Sequence, residues 1–231
     1  MTLRASLSSS PSSPSSPSLR WAMVSTYPPT PCGLATFTHS LVSGMSSLGS
    51  EVDVVRVVDG PPNSSSAEVS HHLVSGTPGA AAATAAVLNS YDVVVFQHEY
   101  GIYGGVDGEE IIAVLVRLRV PVITVLHTVL AAPTAHQRRV LQSVVEASDV
   151  LVTMTRTARD RVIEAYGADP ERVHLIPHGA ADALVTGSRP VPVRQRGERR
   201  RDISLPVATH HRPFILTWGL LGAGKGIEWG I

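Results

Sequence analysis

The chain has 231 residues, of which 43% are apolar and only 16% charged, and its formal net charge is zero. An average soluble domain carries roughly 25% charged residues, so this composition excludes a disordered, solvating chain and favours strands buried on both faces. The balanced charge argues against a nucleic-acid partner, which requires a basic excess. Cys32, the single cysteine, excludes an intramolecular disulfide framework and a cysteine-based zinc site.

The first residues predict neither a leader peptide nor a packed structure. Positions 6–18 are serine or proline except for Leu7, and no apolar segment follows Arg4, so a secretory signal is not expected. We predict a disordered Ser/Pro-rich tail over 1–19 and a cytoplasmic location. No run of about 18 apolar residues is free of charge and proline, so no membrane span is predicted.

From residue 20 onward the hydrophobic pattern alternates between strand and helix periods. In the first half, the predicted elements are a strand at 21–24, a helix from 33 or 34 to Gly49, a strand at 51–58, a loop over 60–78 and a helix at 80–88. In the second half they are strands at 92–96, 121–126, 150–154 and 173–176, helices at 109–119 and 157–166, and a helix behind a Thr134–Gln137 capping box.

Nearly all-apolar strands that alternate with helices predict an α/β fold with a doubly wound, Rossmann-like parallel sheet over 20–183. Residues 184–212 are rich in arginine and lack an apolar period, so an interdomain linker is favoured over a basic binding patch. Residues 213–231 predict the first strand and helix start of a truncated second domain. A late addition to the first sheet is the alternative for this segment.

Polar residues follow several of the predicted strands. The loops 25–33, 97–101, 127–128 and 177–179 all leave carboxyl ends of strands, where ligands bind in open parallel sheets. We therefore expect His98, Glu99, His127 and His178 to converge. Gly33 would stand at a helix N-terminus suited to a phosphate, with a plain tight turn as the alternative. The missing G-x-G-x-x-G motif argues against NAD.

The residue pattern disfavours two further kinds of site. The three histidines lack the spacing that fixes two metal ligands on one helix, so no metal or other cofactor is predicted, and a histidine that orients a polar substrate is favoured. Glu99 is adjacent to His98 and would hold its imidazole in one tautomer. This pairing is only weakly indicated, because adjacent strand residues point to opposite faces. The turn 219–226 nearly matches a P-loop, but Gly226 replaces the required Ser or Thr, which disfavours a P-loop ATPase and leaves Lys225 as a partner for anionic oxygens.

The segments STYPPTPCGLATFTHSLV, VVVFQHEYGIYGG, VPVITVLHTVL, RVHLIPHG and FILTWGLLGAGKGIEW together resemble retaining GT-B glycosyltransferases of the family 4 (group 1) type. The resemblance covers about 21–183 and 213–231, and the last segment is the most specific. It implies two facing Rossmann domains with the active site between them. The N-terminal domain would supply the acceptor side, and the C-terminal domain would hold most of a nucleotide-diphosphate sugar.

The resemblance also implies roles for particular residues. His127 would be the catalytic residue near the transferred sugar, and Cys32, Gly33 and Leu34 would lie near the donor diphosphate. Lys225 would neutralise the leaving diphosphate, because a fixed cation stabilises charge that develops there. His98 and Glu99 are included in this predicted substrate-binding set.

Two departures from the family pattern stand out. Leu220 occupies the place where many members carry an arginine before the lysine, and the paired-glutamate donor motif would lie beyond Ile231. We therefore expect an incomplete hexosyltransferase that acts with retention on an unknown acceptor, a sugar, a lipid or a small molecule. A lipid acceptor would imply peripheral membrane association. The alternative is a non-catalytic Rossmann-type module that binds a sugar or acceptor.

Overall fold

A computed structural model describes residues 19–62 and 66–179. Almost all of the predicted N-terminal tail, the predicted linker 184–212 and the predicted segment 213–231, with Lys225 in it, lie outside the described residues. The elements are β1 (Arg20–Ser25), α1 (Gly33–Ser47), β2 (Glu51–Val58), β3 (Val69–Val74), α2 (Ala80–Leu88), β4 (Val93–His98), α3 (Glu110–Leu115), β5 (Val122–Leu126), α4 (Ala135–Glu146), β6 (Val150–Thr153), α5 (Arg156–Tyr166) and β7 (Val173–Leu175), with 3-10 turns at Val106–Gly108 and Pro170–Arg172.

The seven strands form one sheet in the order β3-β2-β1-β4-β5-β6-β7. Every neighbouring pair is parallel, which confirms the predicted doubly wound α/β class. The chain adds strands to one side of β1 up to β3 and then adds the remaining strands to the other side, beginning at β4. The loops after β1 and β4 therefore diverge at the carboxyl edge of the sheet.

Alternate strand residues are buried on opposite faces of the sheet, as the pleat requires. One face packs α1 through Val42, Leu41 and Met45 against a cluster that contains Met23 and Val54. The other face packs the four remaining helices against a larger cluster, whose buried strand residues include Ala22, Val24, Val55, Val57, Val94, Phe96, Leu126 and Leu151. Burial on both faces explains why the strands read as continuous apolar runs.

The helix boundaries follow local chemistry that is visible in the sequence. Thr134 and Gln137 form the predicted capping box at the start of α4, where each side chain binds the other residue's backbone. Gly167 ends α5 in the left-handed conformation with a φ of +76°, which a glycine adopts without a steric penalty. The predicted start of α4 and both predicted ends of α5 are confirmed within one residue.

Three predicted boundaries are wrong. The predicted loop 60–78 contains β3, an edge strand whose VSHHLV sequence lacks an apolar run. The predicted helix 109–119 is only six residues long, because the Asn89 side chain binds the backbone of Arg117 and Arg119 and replaces further helical hydrogen bonds. Finally, β4 continues two residues past the predicted strand end, to His98, because β5 pairs with it there.

The longest helix in the part of the chain that the structure describes is α1, with 15 residues. No helix within residues 19–62 and 66–179 is long and apolar enough to cross a bilayer.

Candidate functional site

A cleft of about 350 Å³ opens at the carboxyl edge of the sheet. It is lined by residues of the loop after β1, the carboxyl end of β2 and the loop after β4, among them Thr26, Thr30, Cys32, Arg56, Gly101 and Ile102. The loops after β1 and β4 diverge at this point because their chains cross over in opposite directions. Open α/β sheets bind ligands at such a topological switch point.

The N-terminus of α1 borders this cleft. Cys32 has an extended backbone and caps the helix, with its Sγ accepting a hydrogen bond from the Ala35 amide at 3.3 Å. The Thr26 hydroxyl lies 3.2 Å from the same sulfur, so the loop is tied to the helix. Gly33 is the first helical residue, and a Cβ built on it would meet nothing within 4 Å. The space beside Gly33 is therefore open, and Leu34 follows it in the first turn.

His127 directly follows β5 and is held from both its backbone and its ring. Its amide donates to the His98 carbonyl at 3.0 Å, and its Nε2 lies 2.8 Å from Gln97 Oε1. The Phe37 ring of α1 contacts the imidazole edge-on, with the ring centroids 5.0 Å apart. Burial, with a smaller effect of the nearby His178, lowers the pKa of His127 to about 4. The imidazole is therefore neutral at pH 7.

The orientation of the Gln97 amide determines the tautomer of His127. Gln97 is fully buried, and its Nε2 donates to the Met23 thioether sulfur at 3.1 Å. Because a thioether accepts but does not donate, this contact turns the amide oxygen towards His127. His127 Nε2 then carries the proton, and Nδ1 is the nitrogen with a lone pair. The Tyr103 hydroxyl donates to the backbone carbonyl of Gln97 at 2.9 Å, which fixes the main chain at Gln97.

His98 lies beneath the surface of this site. It is 2% exposed, and its ring packs edge-on against Tyr100 at 5.2 Å. Burial, together with His127, lowers the pKa of His98 to about 4. Its Nδ1 is buried and has no hydrogen-bond partner among the described residues. The structure places His98 in the wall behind His127, with little surface for a ligand to reach.

Glu99 links the loops that follow β4 and β5. Its Oε2 accepts from the Thr128 hydroxyl at 2.6 Å, and its Oε1 accepts from the Tyr100 amide at 3.0 Å. The suggested pairing of Glu99 with His98 is therefore wrong. The strand continues through His98, so the two adjacent side chains diverge, and both Glu99 oxygens bind elsewhere.

His178 also lies near His127. The Phe37 ring is centred 5.0 Å from the His178 ring, so Phe37 connects α1 to both histidines. His178 itself is exposed and interacts with the Gly179 carbonyl through Nδ1 at 2.6 Å. The carboxyl edge thus brings together α1, His127, His178 and the Glu99–Thr128 pair. Across residues 19–62 and 66–179, no group of three or more His, Cys, Asp and Glu side chains is arranged to hold a metal ion.

Sequence reasoning missed three residues of this edge: Phe37, Arg56 and Gln97. Phe37 falls within the helix that the sequence predicts from residue 33 or 34, and Gln97 falls at the start of the predicted loop 97–101. Arg56 is 5% exposed and donates through Nη2 to the Thr30 hydroxyl at 3.0 Å. The available signal was an arginine within the apolar strand EVDVVRVV, two residues before its carboxyl end, since arginine is rarely buried without a partner or a role.

The parallel sheet and its covering helices define an α/β protein of the Rossmann-like class. Within that class, the family model described as Glycosyltransferase Family 4 matches residues 31–183, which is more than half of the chain. The chain belongs to this family, and the resemblance read from the sequence is confirmed.

Known relatives agree with this assignment. The chain is 32% identical, over 121 residues, to a D-inositol 3-phosphate glycosyltransferase of Xylanimonas cellulosilytica, in an alignment that covers 48% of this chain and 28% of that protein. An alpha-glucosyltransferase solved with UDP and a 13-mer DNA containing a HMU base has a TM-score of 0.51 at 15% identity, covering 71% of this chain and 43% of that one. This structural likeness establishes the GT-B-type Rossmann fold.

A glycosyltransferase from Rickettsia africae is a further structural neighbour, with a TM-score of 0.46 at 12% identity. The match covers 69% of this chain and 43% of that one. The chain thus spans 28% of the length of the curated relative and less than half of these two solved structures.

Proposed function

We propose that this chain forms the acceptor-side lobe of an enzyme that transfers a sugar, with retention, from a nucleotide-diphosphate sugar to an acceptor. The observation that carries the proposal is the neutral His127, held by Gln97 and Phe37 beside the N-terminus of α1, in a chain of Glycosyltransferase Family 4. A helix N-terminus suits the donor phosphates. A fixed neutral imidazole suits the hydroxyl groups of the transferred sugar.

His127 is assigned the catalytic role in this proposal. Its Nδ1 carries a lone pair and would accept a hydrogen bond from a hydroxyl of the donor sugar, which fixes the sugar for attack. Cys32, Gly33 and Leu34 would present the first turn of α1 to the diphosphate. Glu99 would keep the loop after β5 in place through Thr128, and His98 would support His127 from below. Lys225 would stabilise the leaving diphosphate.

The names of similar proteins support the choice of substrates. The curated relative is named for D-inositol 3-phosphate, and the structure with the same fold was solved with UDP. We therefore propose a uridine diphosphate sugar as the first donor to test and a phosphorylated cyclitol as the first acceptor.

The decisive experiment incubates the chain with uridine, guanosine and adenosine diphosphate sugars, together with cyclitol phosphates, free sugars and small alcohols. Mass spectrometry follows the glycosylated product, and the NMR coupling of its anomeric proton reports retention. We expect nucleoside diphosphate release that depends on the acceptor. Ligand binding that saturates without any turnover would instead establish the non-catalytic module.

A matched pair of histidine variants tests the catalytic assignment. His127→Ala is expected to lower the rate of sugar transfer roughly tenfold to a thousandfold, because the variant loses a fixed group that contacts the reacting sugar. His174→Ala removes an exposed histidine of β7 and is expected to leave transfer unchanged. Equal activity of the two variants would remove His127 from the mechanism.

A further inference from the structure

A buried arginine forms part of the switch-point cleft. Arg56 is 5% exposed, yet it lines the cleft together with Thr26, Thr30 and Gly101. Its position on β2 is fixed by the sheet register, where Ser25 of β1 and His72 of β3 are its neighbours on either side. The sheet therefore fixes the backbone from which this side chain extends into the cleft.

The immediate surroundings orient this guanidinium. Thr30, in the loop after β1, accepts a hydrogen bond from Arg56 Nη2 at 3.0 Å, which fixes one end of the planar group. Burial and the charge of Arg56 lower the pKa of His72, so the neighbouring imidazole is neutral at pH 7. Asp59 also lines the cleft, but it is exposed at the end of β2, where water screens its charge.

The N-terminus of α1 adds to the positive potential of the cleft. Cys32 caps this 15-residue helix and lines the same cleft, so the positive end of the helix dipole lies beside it. A guanidinium presents up to five N–H donors in a planar fork that matches the oxygens of a phosphate or a carboxylate. The cleft therefore combines a fixed cation, hydroxyl groups and a helix N-terminus around a space of about 350 Å³.

We propose that the switch-point cleft is an oxyanion subsite in which Arg56 binds a phosphate or carboxylate group of the acceptor. The assignment to the acceptor rests on the proposed function. His127 and the space beside Gly33 are assigned there to the donor, and the cleft meets that region only at Cys32, while Arg56 lies on its β2 side. None of its lining residues comes from the loops after β5 and β7. The proposal restricts the acceptor to molecules that carry an anionic group.

Direct binding tests the subsite without requiring turnover. Inorganic phosphate and, separately, acetate are titrated into the isotopically labelled chain, and amide NMR shifts are followed. We expect saturable shifts at Thr30, Gly101 and Ile102, with phosphate and acetate distinguishing the two kinds of oxyanion. Arg56→Met should weaken binding of the preferred anion at least tenfold, because a charged hydrogen bond is lost.

Arg138→Met is the matched control. Arg138 is also partly buried, but it donates to the Ala165 carbonyl of α5 and does not line the cleft. This variant should bind the anions like the wild-type chain. Thr30→Val and Arg56→Lys decide the matter if Arg56→Met fails to fold, since both disturb the planar fork and should weaken binding. Anion binding that is unchanged in these variants, or that maps away from the cleft, would overturn the subsite.

Two further arms separate the subsite from the transfer reaction. A nucleoside diphosphate that displaces phosphate from Thr30 and Gly101 would assign the cleft to the donor and overturn the proposal. If the chain transfers sugar, Arg56→Lys should raise KM for an anionic acceptor at least tenfold and leave KM for the donor unchanged. Anion binding at the cleft without any transfer would retain the subsite and reject the proposed function. Sugar transfer in which Arg56→Lys leaves KM for the anionic acceptor unchanged would retain the proposed function and reject the subsite.

Discussion

The two edges of the sheet use polar side chains in different ways. At the amino edge, an aspartate just before a strand binds the backbone of the neighbouring strand, and the arrangement occurs twice. Asp92 Oδ2 accepts from the Arg20 amide at 2.7 Å, and Asp149 Oδ2 accepts from the Val122 amide at 2.7 Å. In both pairs the aspartate amide donates back to the carbonyl of the same partner residue.

At the carboxyl edge, polar side chains mainly bind one another. Gln97 holds the His127 ring, Glu99 holds the Thr128 hydroxyl, and Arg56 donates to Thr30. Side chains at the amino edge complete the backbone ladder, whereas those at the carboxyl edge orient other side chains. The comparison indicates that the first edge contributes stability and the second positions groups for ligands.

Among the polar contacts of the two edges, the largest expected effect lies at the carboxyl edge, at Gln97. Gln97→Leu removes the acceptor for His127 Nε2 and is expected to lower transfer roughly tenfold to a hundredfold, with the loss in kcat. Gln97→Glu places a carboxylate beside the imidazole and should raise the pKa of His127 above its present value of about 4. An NMR titration of the His127 ring measures this shift, and an unchanged pKa would contradict the assigned contact.

At the amino edge we expect a loss of stability with no loss of function. Asp149→Ala leaves the amide of buried Val122 without its acceptor and should lower the free energy of unfolding by about 1–2 kcal/mol. Asp149→Asn keeps an acceptor oxygen and should lose less. Urea denaturation measures both variants. Impaired ligand binding in a folded Asp149→Ala chain would erase the distinction between the edges.

The buried histidines of the carboxyl edge should make the fold sensitive to acid. Burial lowers the pKa values of His98 and His127 to about 4 in the folded chain, whereas the unfolded value is about 6.5. The unfolded chain therefore binds protons first, and stability falls as the pH drops from about 6.5 to 4. His98→Gln should reduce this slope in thermal denaturation, even if it lowers stability at pH 7.

The smallest effect is expected at His136, which joins α4 to the loop before α3. Its Nδ1 lies 2.9 Å from Asp107 Oδ2 and its Nε2 lies 3.0 Å from Glu109 Oε2. Hydrogen bonds to Asp107 and then Glu109 raise the pKa of His136. The stabilisation of the folded chain by protonated His136 is therefore complete below the unfolded pKa of about 6.5. It is lost as the pH rises through the higher pKa of the folded chain.

His136→Gln should accordingly melt below the wild-type chain at pH 6, by a margin that shrinks at pH 9. Thermal denaturation at the two pH values measures this difference. A margin that is the same at both values would show that the charge of His136 contributes nothing.

Much of the fold follows from local sequence signals. The limits of β2 and α2 were predicted to the residue, and the Thr134–Gln137 capping box fixed the start of α4. These elements carry their own signals, namely apolar runs in β2 and α2 and the capping box of α4. The edge strand β3 carries none, because a serine and two histidines interrupt its apolar residues and its pairing comes from β2.

Only part of the candidate site can be predicted from the sequence. Topology brought His127 and the start of α1 to one edge, as expected for parallel strands. The partners of Glu99 and His127 depend on where β4 ends and on its register with β5, which the sequence does not display. Arg56 was missed for a related reason, since its contact with Thr30 depends on the path of the loop after β1.

The position of Cys32 at the start of α1 allows chemical modification of its thiol to report on the adjoining cleft. The chain contains one thiol, whose sulfur accepts a hydrogen bond from the Ala35 amide, and the same residue lines the switch-point cleft. The rate at which a disulfide reagent modifies the folded chain therefore measures how freely the cleft admits a small molecule beside the helix start. An occupant of the adjoining cavity would slow that chemistry, so a simple colorimetric time course can register occupancy without any introduced label.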